Sequence, residues 1–329
     1  MCLLCERGTK KKGVIFRMIS NPEISVIIPV VDRYDDVKDL FHKYKRVLVK
    51  TGKTYEFIYI IDGDFKEVWG ELHSLINMGE IIRIIKLARG FGEATVLSIG
   101  FEHSFGDIIL TLPAYEQVEA DEISNLLEPL ENFDMIIARR WPRKDSILNR
   151  IQSRIFHLLL NLFSEKSFHD IGCGVRVLKR CVAKEVNLYG DMHRFLPLLA
   201  HKQGFKVDEV IVTQSKKDFF QRIYPPGIYL RRILDILSLF FLMSFTKKPL
   251  RFFGILGANI FILGSLISFY LLYMKLFHNI AMENRPLLLL GVLLIVLGVQ
   301  IFSIGLIGEI LIYVHAGDIK EYKVDQIVN

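Results

Sequence analysis

Short apolar runs alternate with longer amphipathic ones from Ile24 onward. The runs are Ile24 to Val30, Tyr55 to Asp62, Ile81 to Ala88, Asp107 to Leu112 and Asp134 to Ala138. Each has the length of a strand and is nearly continuous in apolar character, as strands covered on both faces are. Between them Asp35 to Val49, Glu93 to His103 and Asp121 to Leu130 carry helical periodicity. The alternation predicts an α/β domain built on a mostly parallel sheet. In such sheets ligands bind at the carboxyl ends of the strands, so the chemistry is sought just after each run.

The pattern changes in the last third. Phe252 to Met274 is a stretch of 23 uncharged residues between Arg251 and Lys275, long enough as a helix to cross a hydrocarbon core of about 30 Å. A second uncharged stretch runs from Pro286 to Gly308, and Lys275 to Arg285 is a short loop between them, which predicts a helical hairpin. Arg231, Arg232, Lys247, Lys248 and Arg251 precede the first span, and Lys320 and Lys323 follow the second. The positive-inside rule then places both ends of the chain in the cytoplasm. Ile236 to Thr246 is apolar but only 11 residues long and flanked by basic residues, so it reads as a helix lying in the interface rather than a span, with a buried core helix as the other reading. Glycines 254, 257 and 264 in the first span and 291, 298 and 305 in the second permit close helix contact. Glu309 ends the second span, where a carboxylate is tolerated without a special role.

Composition agrees with this division. Of 329 residues, 51% are hydrophobic and 24% charged, which excludes a disordered chain and most fully soluble enzymes. Forty-two Lys and Arg stand against 36 Asp and Glu, and the tail carries Arg7, Lys10, Lys11, Lys12 and Arg17, suited to anionic lipid. That polar, basic start is not a secretory signal. Four cysteines are too few for a disulfide framework, and Cys2-x-x-Cys5 lacks two further soft ligands for zinc.

The strand ends carry the candidate chemistry. Pro29-Val30-Val31-Asp32 follows the first run and Ile61-Asp62-Gly63-Asp64 the second, carboxylates that suit hydrogen bonds to a nucleotide base or ribose. The third ends in Arg89-Gly90-Phe91-Gly92, a glycine turn with one cation opening a helix, which by itself is a weak sign of a phosphate site. After the fifth come Arg139, Arg140, Arg143 and Lys144, either a solvated basic face or a polyanion contact.

Taken in order, several motifs resemble the membrane-bound members of glycosyltransferase family 2 that make polyisoprenyl-phosphate sugars. They are Ile24-Ser-Val-Ile-Ile-Pro29, Tyr55 to Gly63, Arg89-Gly-Phe-Gly92, Asp170-Ile-Gly-Cys-Gly174-Val-Arg176, His193-Arg194-Phe195-Leu196-Pro197, Lys248-Pro249-Leu-Arg-Phe-Phe-Gly254, and Arg285-Pro286 through Gly308-Glu309. The resemblance implies a GT-A domain over 23–220 behind a basic tail over 1–22. An interfacial region over 221–250, a transmembrane hairpin over 251–315 and a cytosolic tail over 316–329 would follow. It also implies an inverting transfer from a UDP- or GDP-linked sugar to a polyprenyl phosphate at the cytoplasmic leaflet of the inner (plasma) membrane, for cell-envelope glycan assembly. No nucleic acid is expected as a partner, and a homo-oligomer is left open.

Carried over by position, Pro29, Asp32, Asp62, Arg89, Tyr115 and Gln117 would meet the nucleotide sugar, with Asp62 at the nucleobase. Arg176, His193, Arg194, Lys217 and Arg222 would meet the acceptor phosphate, although Gln214 and Pro225-Pro226-Gly227 depart from the usual pattern there. Asp170, Arg139 and Arg140 are the expected catalytic residues. The Asp-x-Asp pair by which the family holds Mg2+ or Mn2+ aligns here with Leu112-Pro113-Ala114-Tyr115-Glu116-Gln117, so no metal ligand is assigned. Asp32 and Arg33 also stand where Asn and Glu are usual, and Ile61 where an Asp is usual.

The transferred sugar leaves a diphosphate whose developing charge needs a metal or fixed cations. Three readings stay open. Glu116 or Glu119 is a displaced metal ligand; Arg139, Arg140 and Arg143 replace the metal, which the stiff Pro113 and the poor ligand Tyr115 favour; or catalysis is lost and the chain is a binding or scaffold protein.

Overall fold

The computed structural model describes residues 22–142, 168–188, 190, 192–218, 249–278 and 286–315. The basic tail, the 236–246 segment, Arg143, Lys144 and Arg222 lie outside the described residues. The chain forms two compact units, the first holding residues 22–142 and 169–218 and the second the two long helices.

The first unit is a seven-stranded sheet of order β3-β2-β1-β4-β6-β5-β7. Five strands, β1 (Ile24–Val30), β2 (Tyr55–Ile61), β3 (Ile82–Lys86), β4 (Ile108–Thr111) and β5 (Met135–Arg140), fall on the five apolar runs. β1 is buried along its whole length and pairs in parallel with β2 and β4. The helices that cover the sheet are α1 (Val37–Lys50), α2 (Lys66–Asn77), α3 (Glu93–Glu102), α4 (Ile123–Leu127), α5 (Arg180–Glu185) and α6 (Leu196–Lys202). α1 starts where the Asp36 side chain accepts the Asp39 N–H at 2.9 Å, and it buries Val37, Leu40, Phe41, Tyr44, Val47 and Leu48 along one face. Each fully buried side chain of that size contributes about 1.5–3 kcal/mol, so this face alone fixes the helix on the sheet.

Two strands escape the sequence pattern. β6 (Arg176–Lys179) runs antiparallel between β4 and β5, and β7 (Val207–Val212) closes the edge in parallel with β5. The result is the mostly parallel GT-A architecture that the resemblance implies. The Asp121 to Leu130 segment is helical in three short pieces, a 3-10 turn at Ala120–Glu122, α4, and a second turn at Glu128–Glu131, with Pro129 near the start of the last.

In the second unit α7 (Pro249–His278) and α8 (Pro286–His315) lie against one another along their length. A methyl group on Gly257 would lie 2.7 Å from the Gly298 carbonyl oxygen, and one on Gly298 would lie 2.6 Å from the Phe261 nitrogen. No other residue allows the backbones to approach this closely. Glu309 closes the hairpin's other end, its carboxylate accepting the Leu250 N–H at 3.4 Å near the start of α7, a structural role for that residue.

Candidate active site

The sheet order turns back at β1, because β2 and β3 lie on one side of it and β4 on the other. At such a point the connections leave in opposite directions and open a crevice at the carboxyl ends of the strands. Arg33, three residues beyond β1, and Tyr115, four beyond β4, meet there, with the guanidinium 4.1 Å from the centre of the phenol ring. This is a stacked cation–aromatic contact.

From Arg33 a line of alternating charge runs inward. Arg33 Nη1 is 3.6 Å from Asp218 Oδ1, and its Nη2 donates to the Lys217 carbonyl at 3.1 Å. Asp218 Oδ2 accepts from Arg140 Nη1 at 3.0 Å and from Gln214 Nε2 at 2.8 Å. Arg140 in turn grips Asp170 with Nε at 2.7 Å and Nη2 at 2.9 Å, and its backbone N–H adds a third bond at 3.2 Å. Both partners of that fork are buried. Burial opposes the Arg140 charge, but Asp170 outweighs it and holds the guanidinium firmly protonated. Arg140 and Asp170, both expected to act on substrate, are therefore committed to each other. Arg139 points to the opposite face of β5, half-buried, 5.9 Å from the ring of the exposed Trp141.

Tyr115 lies among these charges. Burial raises its phenol above the ordinary range, with Asp218 adding to the rise, so it stays a neutral hydroxyl. Gln117 Nε2 donates to the Tyr115 oxygen at 3.2 Å, while Gln117 Oε1 accepts the Gly174 N–H at 2.8 Å. Gln117 thus ties the strand end to the 170–176 loop.

Arg176 secures the same loop from below. It is buried and donates to main-chain carbonyls, at 2.9 Å to Cys173, 2.6 Å to His193 and 3.1 Å to Ile171. Those bonds give it a structural task. Cys173 is buried beside it, and burial pushes its thiol up to about 11, so it is no nucleophile. His193 is buried with Nε2 3.1 Å from Glu93 Oε2, which joins the start of α3 to the turn before α6. Burial would raise the Glu93 carboxyl, but the His193 hydrogen bond and the charges of His193, Arg176 and Arg194 hold it below the usual range. Arg194 itself is exposed.

Asp62 is placed differently from a nucleobase ligand. Its two oxygens accept the N–H groups of Phe91 at 2.7 Å and Gly92 at 2.8 Å. It thereby holds the turn that presents Arg89, whose exposed guanidinium lies 5.1 Å from the Phe91 ring. Pro29 is buried within β1, and Asp32 is exposed at the strand's mouth. Lys217 turns toward α1, 3.2 Å from Asp39 and 3.9 Å from Glu116.

A magnesium or manganese ion needs several oxygen donors, carboxylates above all. The residues after β4 do not supply them. Pro113 and Ala114 have no side-chain donor, Tyr115 is a neutral phenol, and Glu116 is turned to Lys43 at 2.8 Å. Among the described residues no group of three or more His, Cys, Asp or Glu side chains comes together to hold a metal. The donor set does not fit the ion that the family pattern implies.

Arg33, Asp218 and Glu93 are site residues that the sequence analysis left without a role. Arg33 carried a signal, a cation just beyond the carboxyl end of β1. Asp218 carried none, because only the fold brings residue 218 to β5.

A mostly parallel sheet of this order, with one antiparallel strand between β4 and β5, is an α/β fold of the GT-A type. Residues 25–186 match glycosyl transferase family 2. The chain carries a family 2 domain and is a glycosyltransferase. It is 27% identical over 299 residues to dodecaprenyl-phosphate galacturonate synthase of Rhizobium johnstonii, covering 89% of this chain and 88% of that protein. It is 26% identical over 291 residues to undecaprenyl-phosphate 4-deoxy-4-formamido-L-arabinose transferase of Pseudomonas aeruginosa, covering 88% and 84%. Among solved structures, glucosyl-3-phosphoglycerate synthase of Mycobacterium tuberculosis superposes with a TM-score of 0.48 at 14% identity, covering 66% of this chain and 77% of that one. With two helices long and apolar enough to cross a bilayer, the glycosyltransferase is a membrane protein.

Proposed function

We propose that the protein transfers a sugar from a nucleotide diphosphate to a polyprenyl phosphate at the cytoplasmic leaflet. The observation that carries this reading is the span of the likeness, which runs over 89% of the chain and so takes in both the α/β unit and the hairpin. The relatives it covers are named for prenyl-phosphate sugars, and two apolar helices in the same chain as the α/β unit suit a lipid acceptor.

In this reaction a phosphate oxygen of the lipid attacks the anomeric carbon. The bond from that carbon to the diphosphate breaks, and its electron pair leaves on the diphosphate oxygen. The acceptor is already an anion near neutral pH, so a strong base is unnecessary, and stabilising the leaving charge is the demanding step. The exposed Arg194 beside the Glu93–His193 pair is suited to the acceptor phosphate, and Arg89 to the nucleotide.

The test is transfer of radiolabelled sugar from a panel of UDP- and GDP-sugars to undecaprenyl phosphate by the full-length protein in detergent. A labelled, solvent-extractable lipid is expected with at least one donor. Failure with every donor, alongside intact folding, would instead favour the scaffold reading.

A further inference from the structure

Among the described residues the crevice at β1 and β4 lacks the donors for a divalent ion, yet a diphosphate leaving from it must meet positive charge. We propose that Arg33, held against the Tyr115 ring, supplies the charge that meets the donor diphosphate in place of a metal ion. This rests on the nucleotide-sugar reading above and adds to it how the leaving group is held.

Position is the first argument. Arg33 follows β1 and Tyr115 follows β4, so their contact straddles the point where the sheet order reverses. That is where sheets of this kind bind nucleotide phosphates.

Accessibility is the second. Among the described residues Arg140 is the other guanidinium in this line of charges, but its side chain is only 8% exposed and three of its nitrogens are bonded to Asp170 and Asp218. The Arg33 side chain is 22% exposed, at the outer end of the same line of charges. Charges alternate from Asp170 through Arg140 and Asp218 to Arg33, and Asp218 is shared with Arg140 and Gln214. An arriving anion therefore meets the cationic end of the row first, Arg33 being its outermost and most exposed member.

Geometry is the third. A ring at 4.1 Å and a hydrogen bond to the Lys217 carbonyl fix the plane of the guanidinium. A fixed plane presents its N–H groups as a fork, the arrangement that suits phosphate oxygens and that an ammonium cannot copy. Tyr115 adds to it, because its oxygen accepts from Gln117 and its hydroxyl hydrogen is left to donate onward.

The experiment is calorimetric titration of the full-length protein in detergent with UDP and with GDP, in excess EDTA and again with Mg2+ or Mn2+. One of the two is expected to bind equally well with and without metal. Arg33→Gln should weaken that binding roughly tenfold or more, the loss of a charge-assisted contact, with an unchanged melting temperature. Arg33→Lys, which keeps the charge but not the fork, should fall between the two and guards against a folding defect in the first variant. Binding only in the presence of metal, or Arg33→Gln binding like the unmodified protein, would overturn the proposal while leaving the nucleotide-sugar reading standing. If neither diphosphate binds under any condition, both fall.

Discussion

Substituting Asp170 by Asn would strip the Arg140 guanidinium of the carboxylate that grips it through two nitrogens, in a place where both side chains are buried. Breaking a buried pair is expensive because the remaining charge stays desolvated, typically by about 3–5 kcal/mol. Asp218 still holds Nη1 at 3.0 Å, so Asp170→Asn is expected to lower stability by about 2–4 kcal/mol. Removing both charges together, as Asp170→Leu with Arg140→Met, should be less harmful than Asp170→Asn alone. Denaturant unfolding of the detergent-solubilised variants checks this, and a double variant no more stable than the single one would refute it. The residue types of this cluster were legible in the sequence, and their pairing was not. Asp170 and Arg140 were singled out for their motif and strand end, but a carboxylate facing a substrate and one facing an arginine look alike until the fold fixes the partner. Asp62 is a similar case, since its position after β2 was read correctly while its two bonds to the Phe91 and Gly92 amides could only be seen in space.

Elements were the most readable level, where burial on both faces leaves a continuous apolar signature. β1 to β5 fall on the five apolar runs, whereas β6 has four residues with a cation at each end and β7 is an edge strand with the polar pattern of half-exposure. How elements are tied together is less visible. α1 is joined to the segment after β4 by Lys43, whose Nζ lies 2.8 Å from Glu116, a carboxylate only 6% exposed. That hydrogen bond, opposed by burial and assisted by Asp39, pushes the ammonium up from 10.5 to about 12. A cation with a raised folded value stabilises fully below its unfolded value, and that contribution is lost as pH rises through the folded one. Lys43→Met should therefore destabilise the protein by about 1–3 kcal/mol near neutral pH, leaving Glu116 with Lys217 at 3.9 Å. The gap between the two proteins should close as pH rises from 10.5 to about 12. Melting temperatures across that range decide the matter, and a gap that does not change with pH would mean that the side chain acts through its apolar stem.

On the scale of the whole chain, the hairpin decides on which side of the membrane the chemistry takes place. Two spans would return the chain to the side it came from, so the α/β unit and the residues after α8 are expected to share one compartment. Five cations lie between Arg231 and Arg251 and two more at Lys320 and Lys323, against Lys275 and Arg285 in the connecting loop. Cytoplasmic loops carry the excess of Lys and Arg, so the expected orientation has the enzyme domain inside and the connecting loop outside. Native thiols make this measurable. Among the described residues Cys181 is exposed on the enzyme domain and Cys173 is buried, and Cys2 and Cys5 precede the same domain in the chain, so a reagent that reacts with accessible thiols but cannot cross membranes reports on the side that holds the domain. In intact cells that reagent should leave the unmodified protein unlabelled and label the Asn279→Cys variant. Permeabilising the cells should then allow the unmodified protein to be labelled. Labelling of the unmodified protein in intact cells would reverse the orientation, and would place the domain away from the cytoplasmic pool of nucleotide sugars on which the proposed reaction depends.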